Sequence, residues 1–126
     1  MSFTVLTADV CVYQGVGGYN LIASGNIIKG QAVTFAGDNS VKVPNDSGSR
    51  LVGVANSTVY HGEPVCIWGP CNIVKCYLSG NQSAGTKVGV ISEGYLSDIA
   101  IYAASEQAIV IEGTTSTGIG KVLLLS

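Results

Sequence analysis

The sequence predicts an all-β protein: a compact single-domain β-sandwich or small β-barrel of short antiparallel strands. One phrase, Gly-x-x-Val leading into an apolar run, occurs at 30–33, 62–65 and 85–88, which indicates turns where glycine adopts positive φ before the chain extends. Glycine supplies 17 of the 126 residues, close to twice the usual share of about 7%. Runs of β-forming residues recur at intervals of roughly 8 to 12 residues, which is typical of sandwiches and barrels.

The strands are predicted one after another, separated by Gly, Pro, Asn and Ser. Residues 3–13 alternate loosely in hydrophobicity and predict one strand or an extended arm, which the glycines of 15–18 end. Gly-Asp-Asn at 37–39 predicts a hairpin turn, and 44–49 predict a loop. A helical turn is predicted only at 103–107. The predicted strands span residues 3–13, 32–36, 41–43, 51–55, 63–68, 72–78, 87–91, 95–102, 108–112 and 121–125.

The charge content argues against several classes of partner. Only 11% of the residues are charged, against about 25% in a usual domain, and the net charge is −2. No basic stripe is present to neutralise phosphates, so we expect no binding to nucleic acid. The apolar runs are far shorter than the roughly 20 residues of a spanning helix, and the N-terminus lacks a secretory pattern, so we expect no membrane and synthesis in a reducing cytoplasm. A surface with few charges favours lasting contact with other protein.

The four cysteines are candidates for metal ligands or for disulfides. Cys66, Cys71 and Cys76 are spaced five apart, which is not the spacing of a zinc knuckle, and the chain has one histidine. Cytosolic thiols stay reduced. We therefore expect these residues and Cys11 to be free of metal and disulfides, and to act as small apolar side chains of strands.

The sequence contains no recognisable catalytic set. His61 lies in a turn without a nucleophile motif, so we expect a structural role for it. The carboxylates are scattered, and the glycines of 15–18 lack the Lys-Ser/Thr of a phosphate-binding loop. We expect no enzymatic activity, no cofactor and no metal.

Five motifs follow one another along the chain: Ile-Ile-Lys-Gly-Gln-Ala-Val at 27–33, Leu-Val-Gly-Val-Ala at 51–55, His-Gly-Glu-Pro-Val at 61–65, Ala-Gly-Thr-Lys-Val at 84–88 and Gly-Lys-Val-Leu-Leu-Leu at 120–125. In this order they resemble the head-decoration, or capsid cement, proteins of tailed bacteriophages. The resemblance covers residues 25–126 and places no catalytic residues. The resemblance implies a β protomer, usually a homotrimer, that sits on the outer surface of an HK97-type capsid and reinforces contacts between major capsid proteins.

We expect the chain to divide into an N-terminal strand or arm at 1–24, which precedes the matched region, and a β decoration domain at 25–126. In the N-terminal segment the apolar residues fall on alternate positions, and no hairpin partner is adjacent in sequence. The segment therefore either adds to a neighbouring protomer or capsid protein by β-augmentation or pairs as the first strand of its own domain. Under the first alternative the candidate partner-contact residues are Phe3, Val5, Leu6, Val10, Val12 and Tyr13.

A different class of function remains open at this point. Glycan- or receptor-binding modules of virions or cell surfaces use exposed aromatic side chains, and Trp68 with six tyrosines supplies candidates. A ring of exposed tyrosines at one loop end would favour that function. Burial in a core or a subunit interface is the ordinary alternative for each of them.

Overall fold

Short β-strands make up most of the computed structural model, which describes residues 10–13, 18–45, 50–98 and 107–125. Within these ranges the helical content is a single 3-10 turn, Ser92–Gly94, and no helix is long and apolar enough to cross a membrane. The strands are β1 (Cys11–Tyr13), β2 (Tyr19–Ala23), β3 (Ala32–Gly37), β4 (Ser40–Lys42), β5 (Gly53–Ala55), β6 (Pro64–Trp68), β7 (Ile73–Leu78), β8 (Lys87–Val90), β9 (Leu96–Asp98), β10 (Ala108–Glu112) and β11 (Gly118–Leu124).

The strands form two small barrels, one after the other in sequence. The N-terminal barrel is closed in the order β2-β4-β3-β5-β6. The C-terminal barrel follows the order β7-β11-β10-β8-β9 and closes through the pairing of β9 with β7, while β1 adds to the side of β7. The predicted all-β class with short strands is confirmed. Two pairings, β2 with β4 and β7 with β9, are parallel, and the other pairings are antiparallel.

Alternating side chains fill the two cores. In β6 the buried residues are Val65 and Ile67, with partly exposed or exposed neighbours between them, as the period of two requires. The core of the N-terminal barrel consists of Ala23, Ile27, Val33, Val41, Ala55, Val59, Val65 and Ile67. The larger core of the C-terminal barrel includes Val10, Val74, Cys76, Leu78, Val88, Val90, Val110, Val122 and Leu124.

The two barrels pack into one domain. Ala32, Leu51 and Val54 come from the N-terminal barrel or its loops but belong to the core of the C-terminal barrel. The buried Gln31 side chain donates from Nε2 to the carbonyl oxygen of Glu93 at 3.0 Å. The Glu93 N–H in turn donates to the Pro44 carbonyl oxygen at 3.0 Å. Apolar contact and hydrogen bonds therefore both join the barrels.

The two barrels are copies of one topology: residue n of the first corresponds to residue n + 55 of the second. The strand pairs Tyr19–Ile67, Ala23–Val41 and Ala32–Val54 recur as Val74–Val122, Leu78–Leu96 and Lys87–Ile109. The isolated bridge Ile27–Val59 recurs as Gln82–Thr114. Because the pairing partners, strand directions and registers all repeat, the chain is an internal duplication.

The repeated glycine phrase behaves as predicted at all three places. Gly30, Gly62 and Gly85 have φ of 92°, 87° and 88°, a region that glycine occupies without steric cost, and each lies two positions before the first residue of a strand. Gly30 and Gly85 are equivalent positions of the duplication, and their N–H groups donate to the equivalent carbonyls of Ala55 and Val110. Gly62 serves a different turn.

Gly120 in β11 marks a place where the second copy is packed more tightly than the first. A Cβ atom there would lie 2.5 Å from Leu78 Cδ1 and 2.6 Å from the Glu112 carbonyl oxygen, closer than real Cβ atoms approach. Its equivalent in the first barrel is Val65, a full-sized core side chain. The equivalent strands β6 and β11 thus differ in side-chain volume at this position.

The structure corrects one part of the strand prediction. Residues 19–23 form β2, which the sequence did not predict, because Leu21 lies next to the exposed Ile22 and hides the alternation. The division at 24/25 follows the end of β2, and β2 pairs with β4 and β6; the two-part division itself stays a prediction. The predicted helical turn at 103–107, apart from Gln107, and the end of the predicted strand 95–102 lie outside the described residues.

A candidate protein-binding groove

An apolar groove of about 320 Å³ opens at one end of the N-terminal barrel. It lies at the start of β2 and the ends of β3 and β6. The rings of Tyr19 and Phe35 are 48% and 57% exposed there. The groove is lined by Tyr19, Leu21, Phe35, Arg50, Leu51, Val52 and Pro70. Arg50 is the charged member of this lining, so the surface offers apolar contact with one positive charge at its edge.

The strand pattern explains why these side chains meet. Tyr19 and Leu21 have the same parity in β2 as the core residue Ala23, and Phe35 has the same parity in β3 as the core residue Val33. The side chains of these three residues therefore lie on the inner side of the barrel, but at its end, beyond the side chains that form the core. The groove is the open mouth of the N-terminal barrel.

The equivalent mouth of the C-terminal barrel is closed. The three groove residues that lie in strands have the equivalents Val74 for Tyr19, Cys76 for Leu21 and Val90 for Phe35, and all three equivalents are fully buried. Gln107, the equivalent of Val52, is also buried, whereas Leu125, the equivalent of Pro70, is 40% exposed. Val74, Cys76 and Val90 belong to one core cluster with Val10, which is also fully buried. Val10 directly precedes β1, so the N-terminal segment contributes a buried side chain to the core of the C-terminal barrel.

The predicted partner-contact residues fall into two groups. Phe3, Val5 and Leu6 lie outside the described residues. Val10 is in the core of its own chain, and Val12 and Tyr13 belong to β1, which pairs with β7. For residues 10–13 the structure therefore shows pairing within the chain, while contact of the six residues with a partner stays a prediction.

The opposite end of the N-terminal barrel holds His61. Its Nδ1 accepts a hydrogen bond from the Gly25 N–H at 2.8 Å, and its own N–H donates to Asn26 Oδ1 at 3.1 Å. In the second barrel the Gly80 N–H, equivalent to that of Gly25, donates to Thr117 Oγ1 at 2.9 Å. The His61 imidazole thus accepts the hydrogen bond that the Thr117 hydroxyl accepts in the second barrel. The predicted structural role of His61 in a turn is confirmed.

The cysteines differ in their surroundings, although all four are free thiols. Cys76 is fully buried in β7, and burial raises the pKa of its thiol to about 12. Cys66 lies half-buried in β6. The prediction that all are strand residues is wrong for Cys71, which is exposed in the turn between β6 and β7 with φ of 70°. In the described part of the chain, no group of three or more His, Cys, Asp or Glu is arranged to hold a metal ion.

The four tyrosines whose side chains the structure describes, Tyr19, Tyr60, Tyr77 and Tyr95, do not form a ring at one end of a barrel. Tyr19 and Tyr60 are exposed, but Tyr19 lies opposite Ile67 at one end of the β2–β6 pair, whereas Tyr60 precedes β6 at the other end. Tyr77 and Tyr95 are buried with their rings 5.9 Å apart. The described tyrosines therefore supply no cluster of the kind that sugars bind.

No protein-family model matches the chain, and no curated protein matches it in sequence. A solved structure similar to it is the N base of the head fiber gp8.5 of bacteriophage phi29. The TM-score is 0.64, and the match covers 85% of this chain and 92% of that chain with 11% identical residues. The two proteins share a fold. The local sequence patterns predicted neither the groove nor the duplication, since both depend on pairings between distant parts of the chain.

Proposed function

We propose that this chain is a structural protein of a tailed-bacteriophage virion that binds the outer surface of the head and reinforces the capsid. The observation that carries the proposal is the similarity of fold, over nearly the whole of both chains, to a protein that bears the name of a phage head fiber base. The motif order that resembles the capsid decoration proteins supports it independently. The proposal assigns no catalytic step to the chain.

The exposed groove supports a role in contact with protein. Phe35 and Tyr19 expose about half of their side-chain surfaces, roughly 100 Å² each, so covering both stabilises a contact by about 5 kcal/mol. Loss of translational and rotational freedom offsets much of that gain, so a single contact is weak. On a capsid lattice, repeated contacts raise the occupancy far above that of one site. The partner in this proposal is the major capsid protein.

Adding the protein back to deficient heads tests the proposal. Heads are purified from a strain in which the gene is deleted, mixed with purified protein, and imaged by cryo-electron microscopy beside untreated heads. We expect extra density at regular positions on the outer surface and higher thermal stability of the decorated heads. Heads that show no added density would refute the assignment.

The proposed protomer assembles as a homotrimer. The resemblance to capsid decoration proteins implies three copies, and the surface carries few charges to keep copies apart. Light scattering coupled to size exclusion should give three times the chain mass of 12.9 kDa. A 12.9 kDa particle in solution together with single copies on the head would refute the trimer and leave the head-binding proposal standing.

A further inference from the structure

The two barrel mouths differ by one strand. In the C-terminal barrel, β1 runs antiparallel to β7, with Cys11 opposite Val74 and Tyr13 opposite Ile73. The Lys75 N–H donates to the Val10 carbonyl oxygen at 2.8 Å. The first barrel has no counterpart of β1 among the described residues, because β2 pairs there with β4 and β6 alone.

The backbone of β2 presents the same groups that β7 uses to hold β1. The Ala23 N–H donates toward β6, to Glu63, and the Ile22 N–H donates toward β4, to the Asn39 carbonyl at 2.9 Å. Backbone groups alternate in direction along a strand, so the Asn20 N–H faces the same side as that of Ile22. β4 runs parallel to β2, begins at Ser40 opposite Ile22, and so does not extend alongside Asn20. Asn20 is the equivalent of Lys75.

We propose that the mouth of the N-terminal barrel binds an extended segment of a partner protein, which adds antiparallel to β2 at Gly18–Asn20 as β1 adds to β7. The segment places one aliphatic side chain in the groove between Tyr19 and Phe35, at the position that Val10 takes in the second barrel. Its carbonyl oxygen accepts the hydrogen bond of the Asn20 N–H. Strand addition of this kind gains affinity from the main chain and specificity from side-chain pockets.

The chain itself indicates the chemistry of the occupant. The segment Val10–Tyr13 of every copy is already paired with its own β7, so the same strand of a second copy is not free to enter. The exposed Arg50 at the groove edge favours an acidic residue next to the aliphatic one. The occupant is therefore a foreign strand with an acidic and an aliphatic residue side by side. That this strand belongs to a head protein rests on the proposed function; the mode of addition does not.

A peptide tests the mode of addition on the intact chain. The probe has the sequence of residues 8–13, Ala-Asp-Val-Cys-Val-Tyr, with serine in place of its cysteine. Nuclear magnetic resonance of the labelled protein should show saturable shifts at the amides of Gly18–Leu21. Exchange of the Asn20 amide with solvent should slow by about tenfold or more at saturation. Shifts confined to β7, or none at millimolar peptide, would overturn the proposal.

Two variants locate the side-chain pocket. Phe35→Asp puts a charge in the groove at an exposed position, whereas Ile111→Asp makes the same kind of change at a comparably exposed position of β10. We expect the first to weaken peptide binding by about tenfold or more and the second to leave it unchanged. Equal binding by the two variants would overturn the proposed pocket. Unchanged amide spectra away from the substituted residue show that each variant is folded.

The same variants on deficient heads separate this inference from the proposed function. Binding of the wild type and of Ile111→Asp with loss for Phe35→Asp supports both. Equal binding of all three overturns the groove as the head contact and leaves the proposed function intact. If the wild type does not bind heads, the proposed function fails, and the peptide measurement alone decides the strand addition. Removal of residues 1–9 that speeds Asn20 exchange in the isolated protein would assign the groove to this chain's own N-terminus and overturn the foreign occupant.

Discussion

Truncation of Val10 measures how much the short strand β1 contributes to the domain. The side chain is fully buried among core residues of the C-terminal barrel, and the strand behind it is three residues long. Val10→Ala removes two carbon atoms, which cost about 0.8 kcal/mol each, and leaves a cavity at the barrel mouth. We expect the free energy of unfolding to fall by about 2 kcal/mol. For a chain of this length, that corresponds to a melting temperature lower by roughly 8 °C.

Thermal and urea unfolding of the isolated protein, followed by circular dichroism, provide the assay. Ile111→Ala is the matched control, because Ile111 is 45% exposed and its truncation should cost less than about 1 kcal/mol. A Val10→Ala protein that melts within about 1 °C of the wild type would show that Val10 does not close the barrel. The comparison of the two barrel mouths would then lose its basis. A large effect would show that residues 10–13 act as a strand of their own domain.

Three further outcomes are expected. Gly113→Ala should lower the free energy of unfolding by about 1 to 3 kcal/mol, and with it the urea midpoint, because the added Cβ overlaps the Gln82 carbonyl oxygen. Gly118→Ala is the control, because its Cβ would lie 3.7 Å from the nearest contact and should change the midpoint little; equal midpoints would contradict the packing. The pKa of Cys76 is raised by burial to about 12, above its ordinary 9.0, so the unfolded chain loses this proton first and stability should fall by about 1 kcal/mol between pH 9 and 10. Cys76→Val should flatten that slope in alkaline denaturation, and an unchanged slope would exclude the thiol as its source. Cys71, exposed in its turn, should react with a disulfide reagent in the native protein while Cys76 reacts only after unfolding. Intact mass without reductant should equal that of the fully reduced chain, and a loss of protons would indicate a disulfide.

The class of fold follows from local features that sequence carries directly. The turns at Gly30 and Gly85 depend on the φ of one residue, and the hairpin turn at Asp38 and Asn39 depends on two, with Asn39 at φ of 57°. Such features are specified within a few positions, so the turn-to-strand pattern predicted most strand starts. β2 was missed because one of its outward positions carries Ile22, exposed next to apolar inner residues.

Local sequence patterns predict neither the duplication nor the groove. Ser-Gly-Asn occurs at 24–26 and again at 79–81, each followed by glycine and valine at the same distances, so comparison of the chain with itself at an offset of 55 holds the signal. Comparison of the chain with itself does not predict the groove. Tyr19 is exposed, whereas its equivalent Val74 is buried in a core cluster that also holds Val10 from the distant N-terminal segment. Contacts between segments so far apart in sequence leave no local trace.

Matching backbone registers in the two halves create a hazard during folding, since β7 offers β6 the same ladder of hydrogen bonds that it offers β11. Exchange of equivalent strands is a characteristic failure of repeated domains. If β6 took the place of β11, Val65 would stand where Gly120 stands, and its side chain would meet Leu78 and the Glu112 carbonyl, which already lie too close for a Cβ. The absence of a side chain at Gly120 therefore favours the pairing of β7 with β11 over its pairing with β6.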